Sequence, residues 1–265
     1  MCLLTYFPAD RAPEPVPLRI GAAVNPHGHG FAVIAEPEDR IIVGRGMRAD
    51  RVIDRFLAVR DRYPNGPALF HSRYATQGAH SVDNCHPFRL GGDARTVLAH
   101  NGTLPKRVRP RVYDRRSDTR IAAEDYLPTM PFGSIDTHRG ARGLESWLGS
   151  SKLVLLTIDP SYEQSAYLFG ERAGVWEHGI WYSNTTYKTA YRARTRRAVC
   201  RYCLHLDLDR AGRYCTRCGW CFVCEAAFPH CYCTRHAESD PADADRNPPR
   251  MRFSHPPMNG FHPGP

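Results

Sequence analysis

Residues 2–7 have the sequence Cys-Leu-Leu-Thr-Tyr-Phe and predict a short buried strand. Cys2 stands directly behind Met1, so it becomes the amino-terminal residue once Met1 is removed, and it then carries both a thiol and a free α-amine. An α-amine has a pKa of about 8 and a thiol a pKa of about 8.5, so neither group needs a large pKa shift to act at neutral pH. Cysteine is also a common core residue. Cys2 is therefore either a nucleophile or a packing residue, and the rest of the chain must decide.

The composition is that of a globular protein with a large core and a strong basic excess. Hydrophobic residues make up 42% of the 265 residues, and the formal net charge is +9. Nearly all of the basic charge is arginine, since Lys106, Lys152 and Lys188 are the only lysines. Arginine suits contacts with carboxylates, phosphates and nucleic acid. A coding bias toward arginine is the alternative explanation.

Eight of the ten cysteines lie between Cys200 and Cys233. The chain opens with no charged-then-apolar signal sequence, and it has no apolar run of membrane-spanning length. We therefore expect a cytoplasmic protein that does not contact a membrane. In that compartment, clustered cysteines indicate metal binding rather than disulfides.

The pattern of apolar residues predicts strands, then helices, then strands again. Residues 8–18 contain four prolines and are expected to form a loop. Helical spacing is found over residues 50–60 and 139–148, and Ser117 is placed to cap a third helix. Strands are predicted at residues 31–34, 40–44, 68–72, 96–101, 153–158, 165–169 and 174–184.

This order predicts a layered α+β domain over residues 2–195. A basic linker follows, and residues 196–236 form a separate cysteine-rich module. Residues 237–265 are rich in proline, glycine and acidic residues without periodicity, so we expect a disordered tail.

Six motifs follow one another along the chain: Cys2 behind Met1, Asn25-Pro-His-Gly-His-Gly, His71-Ser-Arg-Tyr-Ala-Thr-Gln-Gly, Asn84-Cys-His-Pro-Phe, His100-Asn-Gly-Thr-Leu and Ser117-Asp-Thr. In this order they resemble the class II glutamine amidotransferases, which are amino-terminal-nucleophile hydrolases. The resemblance covers roughly residues 2–190. It implies a four-layer αββα sandwich and the release of ammonia from glutamine through a γ-glutamyl thioester.

The resemblance also implies a role for each matching residue. Cys2 is the nucleophile and its own α-amine is the base. Asn101, through its side-chain amide, and Gly102, through its backbone N–H, form the oxyanion hole. The nucleophile and the oxyanion residues are all present in this chain.

Four more residues are assigned to the substrate pocket. Arg73 pairs with the α-carboxylate of glutamine and Asp118 with its α-ammonium group, while Thr76 and His86 line the pocket. Each has a plainer interpretation taken alone: Asp118 as a first-turn helix residue, Arg73 as a surface ion-pair partner and His86 as a core histidine. Taken together, the six motifs in their intact order favour the functional interpretation.

The chain departs from the family pattern in the pocket. His27 and His29 stand where members often carry Asp and an aromatic residue, and Gln77 stands where they carry His or Thr. These differences leave the accepted amide open.

The cysteine spacing is typical of zinc ribbons. The candidate ligands form four pairs, Cys200 and Cys203, Cys215 and Cys218, Cys221 and Cys224, and Cys231 and Cys233. Eight thiolates complete two tetrahedral structural zinc sites, with the pairing open, and a redox role is the alternative. Arginine and aromatic residues are interspersed, which suits contact with nucleic acid or with an acidic protein.

Three functions follow from these observations. The first is a glutamine amidotransferase that supplies ammonia to a synthase acting in trans, because no downstream segment is long enough to be that synthase. The second is a stand-alone γ-glutamyl amidohydrolase. The third is a non-enzymatic scaffold whose zinc module binds nucleic acid or protein. The intact catalytic set favours an enzyme.

Overall fold

The structure, a computed structural model, describes residues 2–188 and, beyond them, residues 200, 214, 215, 217–221, 224 and 226. The predicted boundary at residue 195 and the predicted tail lie outside the described residues.

Two antiparallel sheets form the centre of the described domain. The first has six strands in the order β3-β2-β4-β1-β10-β9, and the second has four in the order β5-β6-β7-β8. The strands of the first sheet are β1 (Leu3–Phe7), β2 (His29–Ala35), β3 (Arg40–Gly46), β4 (Ala68–Ser72), β9 (Val175–Glu177) and β10 (Ile180–Tyr182). Those of the second are β5 (Phe88–Arg89), β6 (Thr96–Asn101), β7 (Lys152–Thr157) and β8 (Ala166–Phe169).

Helices cover the outer face of each sheet. Helices α1 (Pro15–Val24) and α2 (Ala49–Arg62) pack on the first sheet through a core that includes Phe31 and Phe56. Helices α3 (Asp118–Ile121) and α4 (His138–Leu148) pack on the second. Apolar residues three and four apart along α2 and α4 supply the buried faces.

A third core joins the two sheets, and the alternation of side chains along each strand explains it. In β1, Leu3 packs toward the helices while Leu4 packs between the sheets. In β6, Leu98 packs toward the helices while Val97 and Ala99 pack between the sheets. Successive side chains of a strand point to opposite faces, so strands apolar on both faces are buried on both. The layers are helix, sheet, sheet and helix, which confirms the predicted αββα sandwich.

Two local predictions need correction. The proline-rich stretch 8–18 is not all loop, because α1 begins at Pro15. Proline is tolerated in a first helical turn, where its missing N–H has no intrahelical partner to lose. Residues 174–184 form a hairpin of β9 and β10 rather than one strand, since His178 and Gly179 both adopt positive φ and reverse the chain.

Within the described residues, no helix is long and apolar enough to cross a membrane.

Candidate active site

The predicted site residues lie at the ends of central strands. Cys2 precedes β1, which pairs with β4 in the register Leu3 to Ser72, so Cys2 lies beside Arg73 and Tyr74. Asn101 is the last residue of β6 in the other sheet. One pocket is lined by Cys2, Arg73, Thr76, His86, Gly102 and Asp118. The cavity volume of this pocket is about 20 Å³.

The Cys2 thiol is half-buried and contacts the backbone that follows β4. The N–H of Tyr74 donates to Sγ at 3.3 Å, and Sγ lies 3.6 Å from the Tyr74 carbonyl oxygen. Burial raises the pKa of the Cys2 thiol, while the Tyr74 N–H and the positive charge of Arg73 lower it. Burial is the largest of these effects, so the thiol is protonated at neutral pH and needs a base to become a nucleophile.

Arg73 is buried and held by two carbonyl groups of its own loop. Its guanidinium donates to the carbonyl oxygen of Ala79 at 3.0 Å and to that of Gln77 at 2.6 Å. Burial lowers the pKa of Arg73, and the neighbouring Cys2, Cys85 and Asp118 raise it. These contacts fix the guanidinium in the pocket beside the thiol. Arg73 is therefore not the surface ion-pair partner of the plainer interpretation.

Asp118 is the first residue of α3 and is nearly buried. One carboxylate oxygen accepts from the Leu104 N–H at 3.0 Å, and the other from the Thr119 N–H at 2.8 Å. Ser117 caps the helix as predicted, since its hydroxyl accepts from the Arg120 N–H. The carboxylate is thereby fixed at the pocket wall.

The backbone conformation of Gly102 allows only glycine at this position. Its φ is +149°, and a Cβ added there would lie 2.2 Å from Ser151 Oγ. Glycine is required because no side chain fits this turn. Asn101, just before it, is not among the residues that line the pocket, and its side-chain amide donates to Ser183 Oγ at 2.8 Å.

Ser183 and Asn184, which the sequence motifs do not include, connect Asn101 to β1 and to Cys2. The Ser183 hydroxyl accepts from Asn101 Nδ2 and, at 2.9 Å, from the Leu4 N–H. Asn184 Nδ2 donates to the carbonyl oxygen of Cys2 at 2.8 Å. Both residues follow β10, which pairs with β1. The two sheets are thus joined by hydrogen bonds beside the pocket.

A comparison with known families addresses the predicted resemblance. Residues 19–126 match the family model described as glutamine amidotransferases class-II. This span is therefore similar to the class II glutamine amidotransferase domains. The match confirms the resemblance and includes Arg73, Asn101 and Asp118, and it begins after Cys2. No curated protein matches the chain.

Several solved structures are similar. A glutamine phosphoribosylpyrophosphate amidotransferase from B. subtilis, complexed with ADP and GMP, matches at 16% identity over 71% of this chain and 42% of its own, with a TM-score of 0.42. A structure described as the allosteric regulatory enzyme of purine biosynthesis matches at 16% identity over 72% and 43%, with a TM-score of 0.39. A glutamine aminotransferase class-II domain protein from Silicibacter pomeroyi matches at 16% identity over 69% and 87%, with a TM-score of 0.35. This chain spans less than half the length of the first two.

His27, one of the departures from the family pattern, supports the loop that forms one wall of the pocket beside Cys2. Its Nδ1 accepts from the Ala75 N–H at 3.0 Å. Its ring stacks on His80, with centroids 4.3 Å apart, and lies 4.8 Å from the Tyr74 ring. In this chain an imidazole therefore positions the segment that contacts the Cys2 thiol.

Four histidines, His29, His71, His86 and His100, are buried in and behind the pocket beside Cys2. His71 Nε2 lies 3.1 Å from the His100 carbonyl oxygen, and the His86 ring lies 3.9 Å from the His71 ring, centroid to centroid. Among the described residues, neither ring nitrogen of His86 has a hydrogen-bond partner. Burial lowers the pKa of His71 to about 3 and the pKa values of His29 and His100 to about 4, and it lowers the pKa of His86 as well.

These histidines predict that the domain loses stability in mild acid. Since their folded pKa values lie below the ordinary value of 6.5, the unfolded chain binds more protons between about pH 6.5 and pH 4. Stability is therefore complete above about pH 6.5 and falls as the pH drops. Each of these histidines is expected to lower the free energy of unfolding by about 2 kcal/mol at pH 5.

Thermal unfolding between pH 7.5 and pH 5 measures this effect. His29→Gln is the matched variant, because His29 is fully buried outside the pocket and its Nδ1 lies 3.2 Å from Ser72 Oγ. We expect this variant to take up about one proton fewer on unfolding in mild acid, so its unfolding midpoint should change less with pH. An unfolding midpoint that does not change from pH 7.5 to pH 5 would contradict the prediction.

Three of the predicted metal ligands come together in the cysteine-rich segment. The sulfur atoms of Cys200, Cys215 and Cys218 all lie within 4.8 Å of one another, and Cys200 Sγ and Cys218 Sγ are 3.6 Å apart. Tetrahedral zinc with Zn–S bonds of about 2.3 Å places its sulfurs roughly 3.8 Å apart. The three cysteines therefore fit a metal ion.

Two backbone contacts lie next to these ligands. The Gly219 N–H donates to the Cys215 carbonyl oxygen, and Tyr214 forms an antiparallel β-bridge with Cys221. Of the other predicted ligands, Cys221 and Cys224 are not in the group of three, while Cys203, Cys231 and Cys233 lie outside the described residues.

Proposed function

We propose that this chain hydrolyses the side-chain amide of glutamine through a γ-glutamyl thioester on Cys2. The observation that carries the proposal is the convergence of Cys2, Arg73, Gly102 and Asp118 on one pocket. A hydrolysed amino-acid amide needs a nucleophile, a site for the oxyanion and a clamp on the head group, and this set supplies all three.

In the first half of the reaction, Cys2 Sγ attacks the amide carbon. The C–S bond forms as the α-amine of Cys2 takes the thiol proton, and the carbonyl becomes an oxyanion. The carbonyl then re-forms as the C–N bond breaks, and the amine passes its proton to the nitrogen, which leaves as ammonia. In the second half, water gives a proton to the amine and attacks the thioester, the C–S bond breaks, glutamate is released, and the proton returns to the thiol. The Gly102 N–H and the Asn101 amide stabilise the oxyanion in both halves.

The base in this mechanism is the α-amine of Cys2, which requires the removal of Met1. Burial raises the pKa of the thiol, so a base must take its proton during the attack. A base on the same residue is already positioned, which removes most of the entropic cost of bringing the two groups together. A chain that keeps Met1 is then an inactive precursor.

The head group of glutamine is held by two opposite charges. The Arg73 guanidinium has N–H groups beyond the two bound to Ala79 and Gln77, and these pair with the α-carboxylate. Asp118 accepts from the α-ammonium group.

The direct test is ammonia release from L-glutamine by the purified full chain. L-asparagine and γ-glutamyl methylamide are the comparison substrates. Turnover of glutamine alone supports an amidotransferase whose ammonia goes to a synthase in trans, whereas preference for the substituted amide supports a stand-alone γ-glutamyl amidohydrolase. No turnover of any amide would favour the non-enzymatic scaffold.

Ser183 is expected to act by positioning Asn101. Ser183→Ala removes the acceptor that orients the Asn101 amide, so we expect kcat to fall about tenfold with little change in KM. The double variant with Asn101→Ala should lose no more activity than Asn101→Ala alone, because the two residues act through one group.

Thr157→Val is the control for this prediction. It removes another buried hydroxyl, bonded to Thr96 at 2.8 Å, in the second sheet. Its kcat should stay within about twofold of the wild-type value. Additive losses in the Ser183 and Asn101 double variant would show that Ser183 acts separately from Asn101.

We also propose that the cysteine-rich module holds two structural zinc ions, with Cys203 as the fourth ligand beside Cys200, Cys215 and Cys218. The metal would supply much of the folding free energy of such a short segment. We expect two zinc ions per chain by elemental analysis and one after Cys215→Ser with Cys218→Ser. Cys85→Ser should keep both ions, and a wild-type chain purified without zinc would refute the proposal.

The basic residues of this module are the reason to propose a nucleic-acid contact. Arg217, which lies between two of the ligands, is exposed. Binding of single-stranded RNA that weakens steeply with added salt would support this contact.

A further inference from the structure

A second cavity lies on the helical face of the first sheet, between β3 and the start of α2. Its volume is about 210 Å³. Its lining includes four arginines, Arg45, Arg48, Arg51 and Arg55, together with Met47 and Val52. We call it the arginine cavity, and it shares no lining residue with the pocket of Cys2.

Glycines allow the neighbouring side chains to lie close against the strand here. A Cβ at Gly44 would lie 2.3 Å from Phe31 Cε1, and one at Gly46 would lie 2.9 Å from Val52 Cγ2. The Phe31 ring therefore packs directly on β3, and the Arg55 guanidinium lies 5.8 Å above that ring. The result is an apolar surface beneath an exposed cation.

The positive charge around this cavity is not balanced within the described residues. Arg48 pairs with Asp50 at 2.8 Å, and Asp54, the next carboxylate of α2, is engaged by Arg19 at 3.1 Å. The described part of the chain shows no carboxylate paired with Arg51 or Arg55. These two arginines are four residues apart on one helix, where like charges repel and weaken the helix.

An anion in the cavity would relieve this repulsion. Guanidinium groups match phosphate oxygens with paired N–H donors, and exposed Arg51 and Arg55 are able to turn toward a common ligand. Met47, which is 37% exposed, and Val52 offer apolar contact to the rest of such a ligand. A volume of about 210 Å³ limits the ligand to a small molecule.

We propose that the arginine cavity is a binding site for a small phosphate monoester with an apolar organic group. The proposal does not depend on the amidase chemistry. It assigns Arg51 and Arg55 to the phosphate, and Met47 and Val52 to the organic group.

Calorimetric titration of the full chain with phenyl phosphate at low salt tests the proposal. We expect saturable one-to-one binding with a Kd on the order of 1 mM or tighter. Inorganic phosphate should bind about tenfold more weakly and phenol should not saturate, because each lacks one half of the recognised ligand.

Two matched variants decide where phenyl phosphate binds. Arg51→Gln with Arg55→Gln should weaken binding at least about tenfold. Arg139→Gln with Arg142→Gln makes the same charge change on exposed arginines of α4 and should leave binding within about twofold. Both variants should keep the wild-type glutaminase rate.

Three results would overturn the proposal. One is the absence of saturable binding by the wild-type chain, and another is equal weakening in the two variants, which would show a general charge effect. The third is inorganic phosphate binding as tightly as phenyl phosphate, which would show that the cavity does not recognise the organic group of a monoester.

Discussion

Replacing Cys2 with alanine is expected to abolish ammonia release from glutamine, with a loss of at least about a thousandfold. The alanine chain keeps the proposed oxyanion donors and the proposed head-group clamp, so we expect it to bind glutamine. It has no atom that can form the thioester. We therefore expect binding of glutamine, measured by calorimetry, to survive while turnover disappears.

Cys85→Ser is the matched control for this loss. Cys85 is a second buried cysteine near the pocket, and its Sγ lies 3.8 Å from Met47 Sδ and 3.5 Å from the Ser81 carbonyl oxygen. It does not line the pocket, so the serine variant should keep most of the activity. Ammonia release that survives Cys2→Ala and disappears in Cys85→Ser would transfer the nucleophile role to Cys85.

Asn101→Ala is expected to lower kcat by about a hundredfold or more while KM changes little. In the proposed mechanism the amide donates to the oxyanion, which exists in the transition state and not in bound glutamine, so its loss should affect the chemical step. The measurement is steady-state ammonia release over a range of glutamine concentrations.

This variant also loses a buried hydrogen bond to Ser183, so its folding must be checked separately. The rate at which iodoacetamide alkylates Cys2 reports whether the thiol is still correctly placed. We expect alkylation within about twofold of wild type, because Asn101 does not contact the thiol. A kcat within a few-fold of wild type, with alkylation unchanged, would remove Asn101 from the oxyanion hole.

Much of the fold could be predicted because its strands are apolar on both faces. Such strands are buried between two layers, and the structure shows this for Leu3 and Leu4 in β1. The start of α1 at Pro15 is harder to predict, because proline is excluded from central strands but is compatible with both a loop and a first helical turn. The turn at His178 and Gly179 depends on a positive φ at a non-glycine residue, which a histidine does not signal.

The lining of the pocket was predictable to a similar extent, and the contacts that support it were not. The motifs selected Arg73 and Asp118, and the structure places both at the pocket beside Cys2. Ser183 lies 179 positions from Leu4, and only the pairing of β10 with β1 brings the two together. The clustering of buried histidines likewise depends on strand register, which local sequence does not specify.

The most direct test of the account is the site of the acyl group during turnover. The full chain is mixed with L-glutamine, quenched in acid while ammonia is being released, digested, and analysed by tandem mass spectrometry. We predict a γ-glutamyl group on Cys2, in a peptide that begins at Cys2 and lacks Met1. A γ-glutamyl group on any other residue, or active chains that retain Met1, would contradict the mechanism.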